Sequence, residues 1–268
     1  MEANAPVPPE AIRKIPPVEK APDRVTQIVN NLREPKLLNA LERVSPENHP
    51  YQQAAAEKLT RTYLNEIPPE QRAASYTQVL TEIPSSFIMS EVVEMIKSQV
   101  DLQQNEQLLQ AIGTAAERLV LSNPADILHV LISLAETNPA FVISEAVRIA
   151  EIQRDQKRSG GKWGTEFGDA FIDETIEAVS AAARTLEEQT PEVVTQVETV
   201  FATLAEVPQT PDQVGYTIKA LTVFCEENPA MAVTARPLIE KLVGMKDTFE
   251  NKELKKTIDE LAAKLPTT

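Results

Sequence analysis

The stretch 157–169, KRSGGKWGTEFGD, holds four of the seven glycines of this chain and its only tryptophan, Trp163. Gly160-Gly161-Lys162 has the residue types of a phosphate-binding P-loop. However, Trp163 stands where a P-loop needs the Ser or Thr that holds magnesium, the first glycine of the motif is missing, and no strand precedes the loop. The spacing therefore argues against phosphate binding.

Histidine and cysteine are too few to build a zinc site from known motifs. His49 and His129 lie far apart, Cys225 is the only cysteine, and neither HExxH nor CxxC occurs. We interpret His129 as a surface or groove histidine, because it lies off the line of apolar residues around it. Cys225 is predicted to sit near a helix C-terminus beside Glu226 and Glu227, where negative charge should raise the thiol pKa. That environment is wrong for a nucleophile.

Carboxylates are the remaining candidates for chemistry. Asp169, Asp173 and Glu177 follow at four-residue spacing on one side of a predicted helix, and Glu174 points away from that row. Three acids could hold a divalent cation if other ligands converged on them. Acids are also favoured in a first helical turn by the helix dipole, and this row flanks the apolar stripe where solvent reaches it. We therefore expect a solvated acidic row, no metal, no cofactor and no enzymatic activity.

The elements that must position these residues are helices. Apolar residues recur at steps of three and four along 172–186 and along 124–136, which is the pattern of one buried helix face. The two faces consist of Ile172, Ile176, Val179, Ala183 and Leu186, and of Ile127, Leu131 and Leu134. Few glycines, abundant Ala, Glu and Leu, and the lack of a convincing strand pattern predict an all-α fold.

Prolines mark where the helices begin. Several of them directly follow Ser, Thr or Asn, whose side-chain oxygens can accept hydrogen bonds from unpaired N–H groups of a first helical turn. Proline at the first helical position loses no hydrogen bond, because that nitrogen has no partner anyway. These pairs are Ser45-Pro46, Asn123-Pro124, Asn138-Pro139, Thr190-Pro191, Thr210-Pro211 and Asn228-Pro229. Weaker starts bring the total to about a dozen helices; they lie at Pro68-Pro69-Glu70, Pro84, Asp101 and Asp169.

The predicted helices come in pairs that repeat along the chain. Pairs start near residues 46, 84, 124, 169 and 211, at steps of 38, 40, 45 and 42 residues. Segment 131–152 also matches segment 221–242 in register, and both contain Asn-Pro-Ala. A two-helix unit of about 40 residues is the period of HEAT-type repeats.

Over residues 46–250 the chain therefore resembles HEAT or armadillo-like repeat proteins. That resemblance implies a right-handed superhelix of antiparallel helix pairs, an α-solenoid, with a long surface that binds other proteins. It implies no catalytic residue. A compact multi-helix bundle is the alternative fold, because up-and-down helices show similar spacing.

The chain divides into an arm and a helical domain. Residues 1–22 carry six prolines and are predicted to form a disordered or extended arm, either a simple tail or a partner-binding segment. Residues 23–268 are predicted to form one helical repeat domain, interrupted by a loop at 156–168. The N-terminus lacks the apolar run of a Sec-type signal peptide, and no run is long enough to cross a membrane. We expect a cytoplasmic protein, while export through a route that recognises the arm stays open.

The formal net charge of the chain is −14 at pH 7. An acidic surface repels nucleic-acid phosphates and anionic membranes and attracts basic protein surfaces. The predicted function is a non-enzymatic scaffold or adaptor that binds another protein, one with a basic surface. The alternative is a helical-bundle regulator of secretion or complex assembly that docks through its N-terminal arm. No feature of the sequence indicates an oligomeric state.

The glycine-rich loop is the candidate partner-binding site. Lys157, Arg158, Lys162 and Trp163 would form a basic, aromatic patch, and Trp and Arg are enriched at binding hot spots. The other interpretation is a permissive insertion in which Trp163 docks on the adjacent helices. The sequence leaves both interpretations open.

Overall fold

A computed structural model describes residues 23–41, 50–158, 171–186, 188–207, 209 and 211–265 of the 268-residue chain. These residues form α-helices joined by short turns, and no strand occurs among them, so the all-α prediction is confirmed. The helices are α1 (Arg24–Leu32), α2 (Pro35–Leu41), α3 (Pro50–Glu66), α4 (Arg72–Glu82), α5 (Ser86–Lys97), α6 (Val100–Gln103), α7 (Glu106–Leu119), α8 (Pro124–Leu134), α9 (Pro139–Arg158), α10 (Ile172–Thr185), α11 (Pro191–Ala205), α12 (Pro211–Glu227), α13 (Arg236–Met245) and α14 (Lys252–Ala263).

Several helix starts follow the proline pattern. The helices α8, α9, α11 and α12 begin at Pro124, Pro139, Pro191 and Pro211. In front of α11, the Thr190 hydroxyl accepts a hydrogen bond from the N–H of Val193, 3.4 Å away. In front of α5, the Ser85 hydroxyl accepts from the N–H of Ile88 at 3.3 Å. Each side chain supplies a partner that a first-turn N–H lacks within its own helix.

The helix start predicted at Asn228-Pro229 is wrong. Asn228 is buried, and its side-chain amide donates to the Oγ and O atoms of Ser180 in α10, at 3.0 and 3.4 Å. A turn and a 3-10 helix over Ala232–Ala235 follow, and α13 begins only at Arg236. Asn228 therefore joins α10 to the end of α12, a role that its local sequence does not distinguish from capping.

The helix before the glycine-rich loop is longer than predicted. α9 runs through Arg158, so residues 156–158 belong to the helix rather than to the loop. No glycine interrupts α9 before Gly160, and basic residues in a last turn are stabilised by the negative end of the helix dipole. The rest of the predicted loop, the N-terminal arm and the start predicted at Ser45-Pro46 lie outside the described residues.

The described helices pack in two series. α4, α7, α9, α11 and α13 contact one another in that order, and α5, α8, α10, α12 and α14 do the same. The two series contact each other most extensively where α9 packs on α10 and where α13 packs on α14, and smaller contacts join them along the stretch from α4 to α9. Among the described helices, two helices in extensive contact are never more than three helices apart along the chain. Packing is therefore local along the chain.

The apolar stripes predicted from the sequence lie in the core. Along 124–136 and 172–186, the buried members are Ile127, Leu131, Leu134, Ile172, Ile176, Val179 and Ala183, and Leu186 is half-buried. Phe201 of α11 and Phe224 of α12 are also fully buried, and their rings meet edge to face with centroids 4.8 Å apart. Such a pair contributes more than its buried area alone.

Side-chain hydrogen bonds join successive helices within a series. They end on carbonyl groups near helix C-termini, which lack partners within their own helix. Arg118 of α7 donates to the carbonyls of Leu80 and Thr81 at the end of α4, at 2.8 and 2.9 Å. Lys241 of α13 donates to the carbonyl of Val207, just after α11, at 2.7 Å. These bonds satisfy the helix ends and fix each helix against its predecessor.

Candidate partner-binding groove

The loop site predicted from the sequence falls mostly outside the described residues. Lys157 and Arg158 lie in the last turn of α9, and the structure describes their backbone but not their side chains. Lys162 and Trp163 lie outside the described residues. Both interpretations of this loop therefore stay predictions.

The described surface contains a groove of about 950 Å³, formed by residues between Leu38 and Val130. It lies where α2 and α3 meet the first turns of α5 and α8 and the last turn of α7. Its volume is in the range of clefts that bind ligands. The polar and aromatic residues along its walls include Glu57, Arg61, Phe87, Ser90, Asp126 and His129.

Two helix starts meet at this groove. α5 begins after Ser85 and α8 begins after Asn123. The hydroxyl of Ser86 donates to Oδ2 of Asp126 at 3.3 Å, across 40 positions of sequence. This separation matches the predicted repeat of about 40 residues. The two helix starts thus lie side by side, and the groove lies between them.

One wall of the groove is held by an ion pair between α3 and α5. Arg61 donates from Nε and Nη2 to the two carboxylate oxygens of Glu91, at 2.8 and 2.9 Å. The guanidinium carbon lies 5.5 Å from the ring centroid of Phe87, which is close enough for a cation–π contact. The hydrogen bonds to Glu91 raise the pKa of Arg61. A two-point ion pair stacked on a ring fixes all three side chains in place.

Two polar side chains of the groove have no protein partner within the described part of the chain. The imidazole of His129 is exposed and the hydroxyl of Ser90 is half-buried, and neither makes a hydrogen bond or an ion pair there. A hydroxyl and a neutral imidazole can each both donate and accept. They can therefore bind the backbone or a polar side chain of a ligand. The sequence-based placement of His129 at the surface or in a groove is confirmed.

The charge of the groove favours a basic ligand. Glu57 and Asp126 bring two carboxylates to its walls. Arg61 is neutralised by Glu91, and Arg118 is engaged with the carbonyls at the end of α4. The described walls thus carry three carboxylates, Glu57, Glu91 and Asp126, against the two guanidinium groups of Arg61 and Arg118, and this formal excess of one negative charge favours a cationic side chain.

Sequence reasoning identified only His129 among these residues. The other groove residues lie on segments that are far apart in the sequence, so no short motif contains them. The signal that could have located the groove is the 40-residue offset between the helix starts near 84 and 124. If two units stack in register, their corresponding starts must lie next to each other.

Cys225 has the raised thiol pKa that the sequence predicts. It is buried near the end of α12, and burial raises its pKa to about 11, with Lys264 opposing and Glu226 adding to the change. The predicted direction is confirmed, but burial rather than the neighbouring acids is the main cause. A thiol with such a pKa is almost entirely protonated at neutral pH and is a poor nucleophile.

One carboxylate beside the acidic row at the start of α10 is unusual. Glu174 is half-buried, its Oε2 has no hydrogen-bond partner, and burial followed by the neighbouring Asp173 raises its pKa to about 8. Asp169 lies outside the described residues. Among the described residues, no three His, Cys, Asp or Glu side chains are placed to hold a metal ion.

Comparison of the chain with protein-family models, characterised proteins and solved structures finds no match. None of the described helices is both long and apolar enough to cross a membrane. The groove is therefore interpreted from its own geometry.

Proposed function

We propose that this protein is a scaffold or adaptor built as a HEAT-like α-solenoid, and that a segment of another protein binds in the groove between α2, α3, α5 and α8. The two helix series support the solenoid, because repeats of this kind contact only their neighbours in the chain. In a compact bundle, helices far apart in the sequence would also pack together.

The observation that carries the binding proposal is the combination of a fixed wall and unpaired polar groups in one groove. Arg61, Glu91 and Phe87 hold one another in place before any ligand arrives. Ser90 and His129 offer hydrogen-bonding groups next to this wall. A preformed site loses little conformational freedom on binding, so more of the contact energy contributes to affinity.

The chemistry of the groove indicates the kind of partner segment. Glu57 and the acidic balance of the described walls favour a Lys or Arg side chain, while Leu38, Phe87 and Ala125 offer apolar contact close by. The net charge of −14 attracts a basic protein from a distance. The proposed ligand is therefore an extended protein segment that combines basic and apolar residues.

Peptide selection tests this function. Random peptides selected on the wild-type protein should be enriched in Lys and Arg beside apolar residues. Their affinity, measured by calorimetry, should fall about tenfold when His129→Ala and Ser90→Ala are combined, because two hydrogen-bonding groups are lost. The matched control is Lys219→Ala, an exposed residue of α12 outside the groove, which should leave affinity unchanged.

Either of two results would contradict the proposal. One is a selected set without basic residues. The other is a set of peptides that bind the double variant as tightly as the wild type, since these peptides would be using another surface.

A further inference from the structure

A buried carboxylate lies between α7 and α9, outside the groove. Glu145 of α9 is only 3% exposed. Its carboxylate faces Gly113 of α7 so closely that a Cβ atom at residue 113 would lie 2.7 Å from Cδ of Glu145. The glycine therefore opens the space that the carboxylate occupies.

The carboxylate of Glu145 is incompletely paired. Arg148 Nη1 lies 3.2 Å from Oε1 of Glu145 and 3.0 Å from Oε1 of Glu117 on α7. The other oxygen of Glu145, Oε2, is buried and has no hydrogen-bond partner. Arg148 is thus shared between two carboxylates, one on α7 and one on α9. A buried carboxylate with an unpaired oxygen carries a large desolvation cost.

The surroundings of Glu145 favour its protonated form. Burial raises its pKa to about 7, Arg148 opposes this change, and Glu117 adds to it. The other helices packed on α9 are α8, α10 and α11. Their titratable groups are Asp126 and His129 on α8, Asp173, Glu174, Glu177 and Arg184 on α10, and Glu192 and Glu198 on α11, and none of them contributes to the raised pKa of Glu145. The charge balance of this contact is therefore set by three residues.

The contact between α7 and α9 is the least extensive one in the series α4, α7, α9, α11 and α13. α7 packs on α9 over fewer residues than α4 packs on α7 or α9 packs on α11. A contact that spans few residues depends more heavily on each of its interactions, including the polar ones.

We propose that Glu117, Arg148 and Glu145 make the contact between α7 and α9 a proton-controlled joint, which is closed when Glu145 is protonated and loosened when Glu145 is ionised. In the closed state the neutral carboxyl fills the space beside Gly113, and Arg148 is left to pair with Glu117. When the proton is lost, two carboxylates compete for one guanidinium. Hydration then stabilises the charged carboxylate of Glu145 when it moves into contact with water.

The direction of the pH effect follows from the two states of Glu145. Its pKa is about 7 in the closed joint, against the ordinary value of 4.5 expected when the carboxyl reaches water. The closed joint therefore binds the proton more tightly, and it is favoured below pH 4.5 and progressively lost as the pH rises towards 7 and above. Between pH 6 and pH 8 these two pKa values predict an opening constant that rises about tenfold.

Hydrogen exchange on the full-length protein tests the joint. After correction for the intrinsic pH dependence of exchange, the amides of α7 and α9 that face each other should lose protection about tenfold between pH 6 and pH 8. Glu145→Gln, which cannot ionise, should abolish this loss. Glu198→Gln, an exposed acid on α11, is the matched control and should respond as the wild type does.

A carboxyl titration provides a readout that needs no variant. Carbon-detected NMR of the wild-type protein should show the Glu145 carboxyl titrating near pH 7. Titration near pH 4.5, or protection in α7 and α9 that does not change between pH 6 and pH 8, would overturn the proposal. So would a Glu145→Gln variant whose protection still falls with rising pH.

Discussion

Phe201→Ala is expected to lower the free energy of unfolding by about 3–5 kcal/mol. Phe201 is fully buried in α11, and its ring meets that of Phe224 edge to face at 4.8 Å. Removal of the ring deletes this contact and leaves a cavity that the surrounding helices cannot fully close. Urea denaturation followed by circular dichroism measures the loss. Phe201→Leu, which keeps an apolar side chain, is the matched control and should cost clearly less.

The helices that lose hydrogen-exchange protection in Phe201→Ala are as informative as the size of the loss in stability. α11 packs mainly on α9 and α13, so hydrogen exchange should rise in these helices, while α1, α3 and α4 keep their wild-type protection. The proposed solenoid predicts this outcome, because the stability of a repeat array is a sum of local and nearest-neighbour terms. Equal loss of protection in all described helices would instead indicate one cooperative bundle.

Tyr76→Ala is expected to have a similar cost, about 3–5 kcal/mol, at the other end of the chain. Tyr76 of α4 is fully buried, and its hydroxyl donates towards Sδ of Met95 at 2.8 Å and the carbonyl of Leu64 at 3.3 Å. The side chain therefore links α4 with α3 and α5. Burial raises its pKa to about 12, so the phenol stays protonated and able to donate.

Tyr76→Phe distinguishes the contribution of the buried ring to stability from that of the hydroxyl. This variant keeps the packing and should lose only about 1 kcal/mol, the net contribution of a typical hydrogen bond. Hydrogen exchange in Tyr76→Ala should rise in α3, α4, α5 and α7, and α11–α13 should be unaffected. A Tyr76→Ala variant that loosens α13 as much as α4 would contradict the local packing that both variants assume.

The sequence predicts helix starts where the capping side chain acts within its own helix. Thr190 is such a case, because its hydroxyl accepts from an N–H three residues later. Where the residue before the proline bonds to another helix instead, the local pattern does not decide whether a helix follows. Asn228 donates to Ser180, 48 positions earlier, and Asn138 donates to the carbonyl of Gln103, 35 positions earlier. Asn138 still precedes a helix, whereas Asn228 does not, so the local pattern alone cannot separate the two.

The groove and the buried acid could not be read from local sequence. Ser86 and Asp126 lie 40 positions apart and meet only because α5 and α8 pack together. Glu145 lies in the largely apolar segment 139–150, and its burial depends on the absence of a side chain at Gly113, on another helix. Periodicity predicts which residues face a core, but it does not predict which polar residues a neighbouring helix will cover.

The proposed function depends most directly on an elongated stack of helix pairs with a surface open to a partner. Small-angle X-ray scattering of the chain without residues 1–22 measures this shape. Five or six helix pairs spaced by about 10 Å give a length of about 60 Å and a radius of gyration of about 22 Å. A compact globule of this size has a radius of gyration of roughly 18 Å. A value near 22 Å is the result that the α-solenoid predicts, and a value near 18 Å would contradict it.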